Sequence, residues 1–257
     1  MTTFALVHGG WHGAWCWELL TPLLEEAGHH VVAMDLPAGD GSATFDTYAD
    51  VVCAAIDGCD DDVVLVGHSM NGSAATLAAA RRPVRHVVYL CAFTPALDRS
   101  LQEQFATEMG MTDFAWMPGM GEFDAQGAQA WVHSALAREI LFADCDDTVA
   151  ERAIDRLRPQ AHHPGKVAFP LSQFPSVRST SVICADDRMV GPEWSRRVAR
   201  ERLRADIVEL PGGHSPFLSR PTALANVLLC IADLPDPKML HAKERHTSSN
   251  PHCLARD

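Results

Sequence analysis

The sequence predicts an α/β protein, with a doubly wound, mostly parallel sheet that carries a helical cap insertion. Two observations support this fold class. Short runs of Val, Leu and Ile alternate with segments at helical spacing, and the runs are continuously apolar, as in strands buried on both faces. The alternation then stops between about residues 96 and 175, where helix-like pieces rich in Met, Trp and Phe replace it. Strand–helix–strand order favours parallel pairing.

The individual elements follow from these patterns. We predict strands at 2–8, 30–36, 62–67, 85–93, 177–187 and 205–213. We predict core helices at 14–28, 44–59, 72–83, 192–203 and 221–234, and cap helices at 100–110, 128–142 and 147–157. The expected organisation is a core formed by 1–95 and 176–235, a helical cap at 96–175, and a polar C-terminal tail at 236–257 outside the fold.

Composition and charge exclude several classes of partner. The 257 residues are 47% hydrophobic and 21% charged, and the formal net charge is −12. Such a surface repels nucleic acid and anionic membranes, so we expect neither as a partner. No apolar run has the length of a membrane span. Neutral or apolar small molecules remain as ligands.

Cysteine and histidine usage favours a reduced, metal-free protein. None of the eight cysteines forms a C-x-x-C pair, and several lie inside apolar runs, which is typical of buried thiols in the cytosol. The N-terminus has neither a basic segment nor a long apolar stretch, so we expect no secretion signal and a cytoplasmic location. The thirteen histidines show no H-E-x-x-H spacing, and we predict no metal and no cofactor.

The stretch GHSMNG at 67–72 carries the strongest chemical signal. It is close to G-x-S-x-G, with Asn71 at the place of the second glycine and Gly72 one residue later, and it lies directly after a β-rich run and directly before a helix, which is the context of a nucleophile elbow. Glycines at both ends allow strand and helix to approach closely around a strained serine. Ser69 is therefore the predicted nucleophile, and the alternative is a helix cap within a plain glycine turn.

A serine nucleophile needs a base and a group that orients this base, and the usual chain order in such folds is Ser, acid, His. His214 follows the last predicted strand in a Gly-Gly loop and is the predicted base. Asp186 and Asp187 both follow the preceding strand. We prefer Asp187, because a short turn beyond the strand is needed to reach His214, and Asp186 is the alternative.

Two backbone N–H groups must then stabilise the negative charge that develops on the substrate. One is predicted from Met70, the residue after the nucleophile. The other is predicted from the glycine-rich loop LVHGGWHGAW at 6–15, with Gly10 preferred and Trp11 as the alternative.

Four stretches now resemble a known family: residues 4–40, LVGHSMNG, CADDRMVGPEW and LPGGHSPFLSRP. Together they are similar to the α/β-hydrolase superfamily over about residues 3–234. The closer resemblance is to plant methyl-ester esterases, salicylate-binding esterases and hydroxynitrile lyases, with their bacterial esterase relatives. In that branch the first Asp of D-x-x-x-x-P-E-[FW] is the catalytic acid, and this resemblance implies Asp187.

Two departures from the branch bear on the reaction. The lyases carry a lysine after the catalytic histidine and a threonine in the first oxyanion loop, whereas this chain has Ser215 and Gly10 there. The resemblance therefore favours an esterase over a lyase. Esterases of the branch often have Met after the histidine, so Ser215 leaves the choice of substrate open.

The predicted function is a cofactor-independent serine hydrolase that cleaves a carboxylic ester of a small, largely apolar substrate through an acyl-enzyme. The alternatives are a lactonase, a carbon–carbon lyase or polyketide-tailoring enzyme, and a non-catalytic ligand receptor on the same fold. A homodimer is compatible with the sequence. The predicted substrate pocket is apolar, with one wall from the core and the rest from the cap: Trp11, Trp116, Met117, Met120, Phe123, Trp131 and Phe142.

Overall fold

The computed structural model describes residues 1–235, and the predicted tail at 236–257 lies outside them. Six strands form one parallel sheet in the order β2-β1-β3-β4-β7-β8, and the short β5 and β6 pair antiparallel elsewhere. The strands are β1 Thr3–Val7, β2 His30–Met34, β3 Val63–His68, β4 His86–Leu90, β5 Ala128–Gln129, β6 Gln160–Ala161, β7 Arg178–Cys184 and β8 Asp206–Leu210. Each of the six predicted strands forms, and together they make the predicted parallel sheet.

Helices connect the strands, and α2 packs against α3 while α1 packs against α10. No helix within residues 1–235 combines the length and apolar character that a membrane crossing requires. The helices are α1 Thr21–Glu26, α2 Phe45–Ala55, α3 Gly72–Arg81, α4 Leu101–Thr107, α5 Ser134–Leu141, α6 Asp147–Ile154, α7 His163–Lys166, α8 Pro192–Val198, α9 Pro216–Ser219 and α10 Pro221–Ala232.

Two predicted helices differ from the structure. The helix predicted at 14–28 is divided into a 3₁₀ turn at Ala14–Trp17 and α1, because Pro22 lacks the N–H that a continuous helix needs. The helix predicted at 128–142 forms only from Ser134 onwards. Its first part is extended instead, since Gly121 N–H donates to Ala130 O at 2.9 Å and Trp131 bridges Met120.

The buried sheet explains why functional residues meet. Every residue of β3 is buried, as are Phe4–Val7 of β1 and all of β4. Parallel strands end at the same edge of a sheet, so the residues after each strand converge there. Gly10 follows β1, Ser69 follows β3, Asp187 follows β7 and His214 follows β8. The four predicted site segments therefore lie along one edge.

The chain between β4 and β7 contains α4 to α7 and the β5–β6 pair. This stretch corresponds to the predicted cap at 96–175. Its treatment as a domain with those boundaries stays a prediction, but its position between two neighbouring strands of the sheet places it beside the edge that carries Ser69.

Candidate active site

Ser69 occupies a sharp turn between β3 and α3. Its φ is 55°, in the left-handed region that a serine rarely adopts. The turn is closely packed: a Cβ on Gly67 would lie 2.7 Å from Ala75 Cβ, and one on Gly72 would lie 3.0 Å from Phe93 O. A side chain at either position would force its neighbours to move, so Gly67 and Gly72 allow the strand and the helix to approach closely around Ser69. Ser69 itself is 5% exposed.

His214 lies within hydrogen-bond distance of both predicted partners. Its Nε2 is 3.1 Å from Ser69 Oγ, and its Nδ1 is 3.0 and 2.9 Å from the two carboxylate oxygens of Asp187. Asp187 Oδ1 also accepts the backbone N–H groups of Met189 and Val190 at 2.8 and 3.0 Å. All three side chains are buried, so this hydrogen-bonded line is shielded from bulk water.

Asp186, the alternative acid, is directed elsewhere. It is exposed, and its Oδ2 accepts the Gly212 N–H at 3.2 Å. Asp186 N–H in turn donates to Gly212 O, so this aspartate joins the ends of β7 and β8. Its neighbour Asp187 is the one that reaches the imidazole.

The partners of His214 define its neutral tautomer. A carboxylate only accepts hydrogen bonds, so Nδ1 carries the proton that is donated to Asp187. Nε2 then has a free lone pair and accepts the Ser69 hydroxyl. This arrangement is the protonation pattern that a general base needs before it takes the serine proton.

The loop after β1 has its carbonyl groups fixed on the side away from the cavity. Gly9 O accepts from His8 Nδ1 at 2.8 Å, and Gly10 O accepts from His12 Nδ1 at 2.8 Å. Trp11 O accepts the Arg158 N–H at 2.8 Å. In a trans peptide C=O and N–H point in opposite directions, and no peptide of the described chain is cis. The N–H groups of Gly10 and Trp11 are therefore turned the other way.

Gly10 and Met70 are neighbours at the cavity floor beside Ser69. A Cβ on Gly10 would lie 2.9 Å from Met70 Sδ, so a larger residue would require the Met70 side chain to move. Met70 lies in the first turn of a 3₁₀ helix, Ser69–Asn71, where N–H groups have no intrahelical partner. Within residues 1–235 neither amide N–H forms a hydrogen bond with the protein.

Three further buried histidines surround this arrangement, and sequence reasoning gave them no role. Burial lowers the pKa of His8 to about 4 and the pKa of His12 to about 3. Burial, with the nearby His214, also holds the pKa of His68 well below its usual value. His68 Nε2 donates to His214 O at 3.0 Å. These rings are neutral near pH 7, and they act as hydrogen-bond donors that hold the site's backbone.

A cavity of about 570 Å³ opens above Ser69. Five predicted pocket residues line it: Trp11, Trp116, Met117, Met120 and Phe123. Trp11 N–H of the indole ring donates to Gln129 O at 3.1 Å, and its ring packs 5.8 Å from the Trp116 ring. The core and the stretch 91–177 therefore meet along the cavity wall.

The other two predicted pocket residues, Trp131 and Phe142, lie outside the cavity wall. Trp131 packs behind Trp11, with ring centroids 5.8 Å apart, and fills the space over Gly119. Phe142 is fully buried, and its ring lies 5.8 Å from His12. Trp131 lies outside the wall because the chain is extended before α5 begins, whereas Phe142 is the C-cap residue at the other end of α5.

Several apolar residues of the wall were missed from the sequence. Two of them, Phe93 and Met189, follow β4 and β7 at the same sheet edge as Ser69, and that position was a usable signal. Leu101 and Phe105 are four residues apart on α4 and so share one face. Phe114 lies in an irregular loop that gives no periodic signal.

Cys91, Asp187 and His214 have potential metal-ligand atoms within 4.8 Å of one another. A cysteine binds metal as a thiolate. The hydrogen bond with Cys184 and burial raise the pKa of Cys91 well above its usual value, so the thiol stays protonated. Asp187 and His214 are already bonded to each other. This donor set is poorly suited to a metal ion, and the absence of a metal remains a prediction.

Comparison with known proteins places this geometry in a family. Residues 4–227 match the alpha/beta hydrolase family. Methylesterase 7 of Arabidopsis thaliana is 30% identical over 249 residues, which cover 90% of this chain and 96% of that protein. The crystal structure of polyneuridine aldehyde esterase, 26% identical, superposes with a TM-score of 0.77 over 91% of this chain and 100% of its own.

A pyrethroid hydrolase from Sphingobium faniae JZ-2 superposes with a TM-score of 0.77 at 22% identity, over 91% of this chain and 98% of its own. That likeness shows the shared fold. With the family match over most of the sequence and the elbow, sheet order and strand-end residues described above, the chain belongs to the alpha/beta hydrolase family.

Proposed function

We propose that this protein is a cofactor-independent serine hydrolase that cleaves the carboxylic ester of a small, largely apolar substrate. The observation that carries the proposal is the hydrogen-bonded line Ser69–His214–Asp187, with its serine at the floor of an apolar cavity. Similarity to methylesterases over 90% of the chain supports an ester as the bond that is cleaved.

Acylation begins when Ser69 Oγ attacks the ester carbonyl carbon and its proton moves to His214 Nε2. The new imidazolium keeps its Nδ1 proton and donates a hydrogen bond to Asp187 through it. The carboxylate holds the ring in place and stabilises its positive charge. His68 stays neutral because burial lowers its pKa, so it does not repel this charge.

Negative charge develops on the carbonyl oxygen in the same step. The N–H groups of Gly10 and Met70 are the proposed donors, because both border Ser69 and neither has a partner within residues 1–235. Amides fixed in advance need no reorganisation when the charge appears, and a low-dielectric surrounding strengthens them. His214 then returns the proton to the leaving alcohol.

Deacylation repeats the chemistry with water as the nucleophile. His214 Nε2 takes a proton from the water, the hydroxyl attacks the acyl carbonyl, and Ser69 leaves with the proton from His214. The free acid and the restored serine are the products. Every step uses side chains and amides of this chain alone.

Two broader points belong to the same proposal. Seven free cysteines in the described chain, four of them buried, support a cytoplasmic location. The homodimer expected from sequence stays a prediction that the solution mass decides.

The experiment compares the wild type with Ser69→Ala on short-chain p-nitrophenyl and methyl esters. We expect kcat to fall by about 10⁴- to 10⁶-fold, because the variant has no nucleophile. A fluorophosphonate probe should label the wild type at Ser69 and leave the variant unlabelled. Turnover that survives in the variant would refute the mechanism, and a wild type that neither reacts with the probe nor cleaves any ester would indicate a ligand receptor.

A further inference from the structure

The cavity wall carries a single charged side chain. Twenty residues line it, and Lys166 is the one among them with a charge at neutral pH. The wall's histidine, His162, is neutral because burial, and then the nearby Lys166, lower its pKa. Lys166 is also the sole lysine in residues 1–235, although the chain carries arginine throughout. A cation at this place therefore stands out both in the cavity and in the sequence.

The ammonium group of Lys166 has no ion pair or hydrogen bond within the described part of the chain. The neighbouring helix α4 carries a carboxylate, but Glu103 uses it to cap Ser100, at 2.7 and 2.8 Å. Arg202, by contrast, is paired with Glu108 at 2.9 Å. The ammonium group of Lys166 is thus free to meet a ligand.

Lys166 lies at the mouth of the cavity. Lys166 is exposed, as are Met117 and Phe123 at 55% each, whereas Ser69 on the floor is 5% exposed. The backbone here is anchored: Pro164 is buried, and α7 packs against α4 so closely that a Cβ on Gly165 would lie 3.8 Å from Leu101 Cβ. The charge consequently sits on a fixed turn at the entrance.

We propose that Lys166 is a specificity-determining residue that selects esters carrying a carboxylate on the part that reaches the cavity mouth. The inference rests on the proposed ester hydrolysis and narrows its substrate class to apolar esters with one anionic end. The apolar body would fill the cavity, the ester would lie against Ser69, and the carboxylate would contact Lys166. Because the protein carries a net charge of −12, an anionic substrate needs such a local cation to bind.

The experiment uses pairs of esters that differ only in charge. One set consists of monomethyl esters of straight-chain dicarboxylic acids of increasing length, each matched with its ω-amide. A second set carries the carboxylate or amide on the alcohol part. Product release is followed by chromatography. At the chain lengths that span from Ser69 to the mouth, we expect the wild type to prefer the carboxylate by about 3- to 10-fold in kcat/KM, mostly through KM.

Variants then assign the preference to one residue. Lys166→Gln should remove it, and Lys166→Glu should invert it in favour of the amide. Arg197→Gln is the matched control, because Arg197 is also exposed and has no partner in residues 1–235 but lies outside the cavity wall. Added salt should weaken the wild-type preference and leave the Lys166→Gln ratio constant.

The outcomes separate the two proposals. Cleavage of ω-amide esters without a carboxylate preference at any length, in either set, would overturn the role of Lys166 and leave ester hydrolysis intact. A preference that persists in Lys166→Gln, or that Arg197→Gln also removes, would overturn it as well. Failure to cleave any ester in either set would refute the proposed function itself.

Discussion

The two walls of the cavity are built on different principles. The wall from the sheet edge is backed by buried polar groups that are held by defined hydrogen bonds, such as His214 with Asp187 at 2.9 Å and His12 with Gly10 O at 2.8 Å. The wall from the stretch between β4 and β7 is mainly apolar and partly exposed, as Met117 and Phe123 show. The sheet-edge wall fixes the orientation of the reacting groups, and the other wall provides apolar surface for the substrate.

This difference assigns the two walls separate tasks. A hydrogen bond loses strength quickly when its angle or length changes, so the sheet-edge wall tolerates little variation. Apolar contact depends on area and adapts to many shapes. We therefore expect substitutions at the sheet edge to reduce kcat, and substitutions in the other wall to change which substrate binds.

After loss of the nucleophile, the largest expected loss of kcat concerns the two adjacent aspartates and tests the role of the sheet-edge wall. Asp187→Asn should lower kcat by about 10⁴-fold, because an amide at this place allows the wrong tautomer of His214. Asp186→Asn is the matched control and should change kcat less than about threefold, since within residues 1–235 the Asp186 carboxylate is hydrogen-bonded to the Gly212 N–H alone. Steady-state kinetics of both variants checks this, and equal losses would contradict the assignment of the acid.

Variants of Phe142 and Met117 distinguish a residue that stabilises the fold behind the site from one that contacts the substrate in the cavity. Phe142→Ala should lower the free energy of unfolding by about 3–5 kcal/mol, because it empties a fully buried site behind His12. Met117→Ala should cost less than about 1 kcal/mol and instead raise KM a few-fold for longer esters. Urea unfolding and a chain-length series measure the two effects. A stable Phe142→Ala with altered substrate choice would restore Phe142 to the cavity wall.

His12 tests whether the sheet-edge wall acts through direction. His12→Leu removes the donor to Gly10 O, and we expect kcat to fall about 10- to 100-fold with little change in KM, because the Gly10–Trp11 peptide, whose N–H is the alternative oxyanion donor, loses its orientation. His12→Asn is the conservative variant, since its amide nitrogen can replace Nδ1, and it should recover most of the rate. Melting temperatures control for folding, and an unaffected kcat in His12→Leu would show that the loop needs no such support.

The last prediction concerns the pH dependence of stability. His12 has a pKa of about 3 in the folded state and about 6.5 when unfolded, so between these values the unfolded chain binds the extra proton. Stability therefore falls on acidification below about pH 6.5, at about 1.4 kcal/mol per pH unit for this residue. Urea unfolding between pH 4.5 and 7 should give a shallower slope for His12→Asn than for the wild type. Parallel curves would mean that His12 is not buried in its neutral form.

The sheet and the sheet-edge wall were largely predictable from sequence. Their signals are local: Ser69 lies within six contiguous residues, and the strands before Asp187 and His214 are short apolar runs. Parallel pairing then brings the strand ends together without any knowledge of distant contacts. The choice between Asp186 and Asp187 needed a turn geometry that only coordinates supply, although the preferred residue is the one that meets His214.

The other wall was harder to predict for a physical reason. Between β4 and β7 the chain turns through short helices and loops, so periodicity does not tell which aromatic side chains face the cavity. Trp131 and Phe142 were expected there and pack behind it: Trp131 lies in the extended chain before Ser134, and Phe142 is buried at the C-terminal end of α5. No sequence signal pointed to Lys166, because a hydrophobic pattern indicates apolar wall residues and not a single charged one. His12 was overlooked because its role depends on a contact with backbone.

The backward-bent backbone at Ser69 has an evolutionary consequence. Glycine adopts a φ of 55° without the steric cost that a serine bears, so folding alone would favour Gly at position 69. Only selection for the serine hydroxyl at this turn retains Ser69 despite its steric cost. A homologue that has lost the catalytic function should accumulate glycine at this position. It should have a higher melting temperature than the active protein from which it descends.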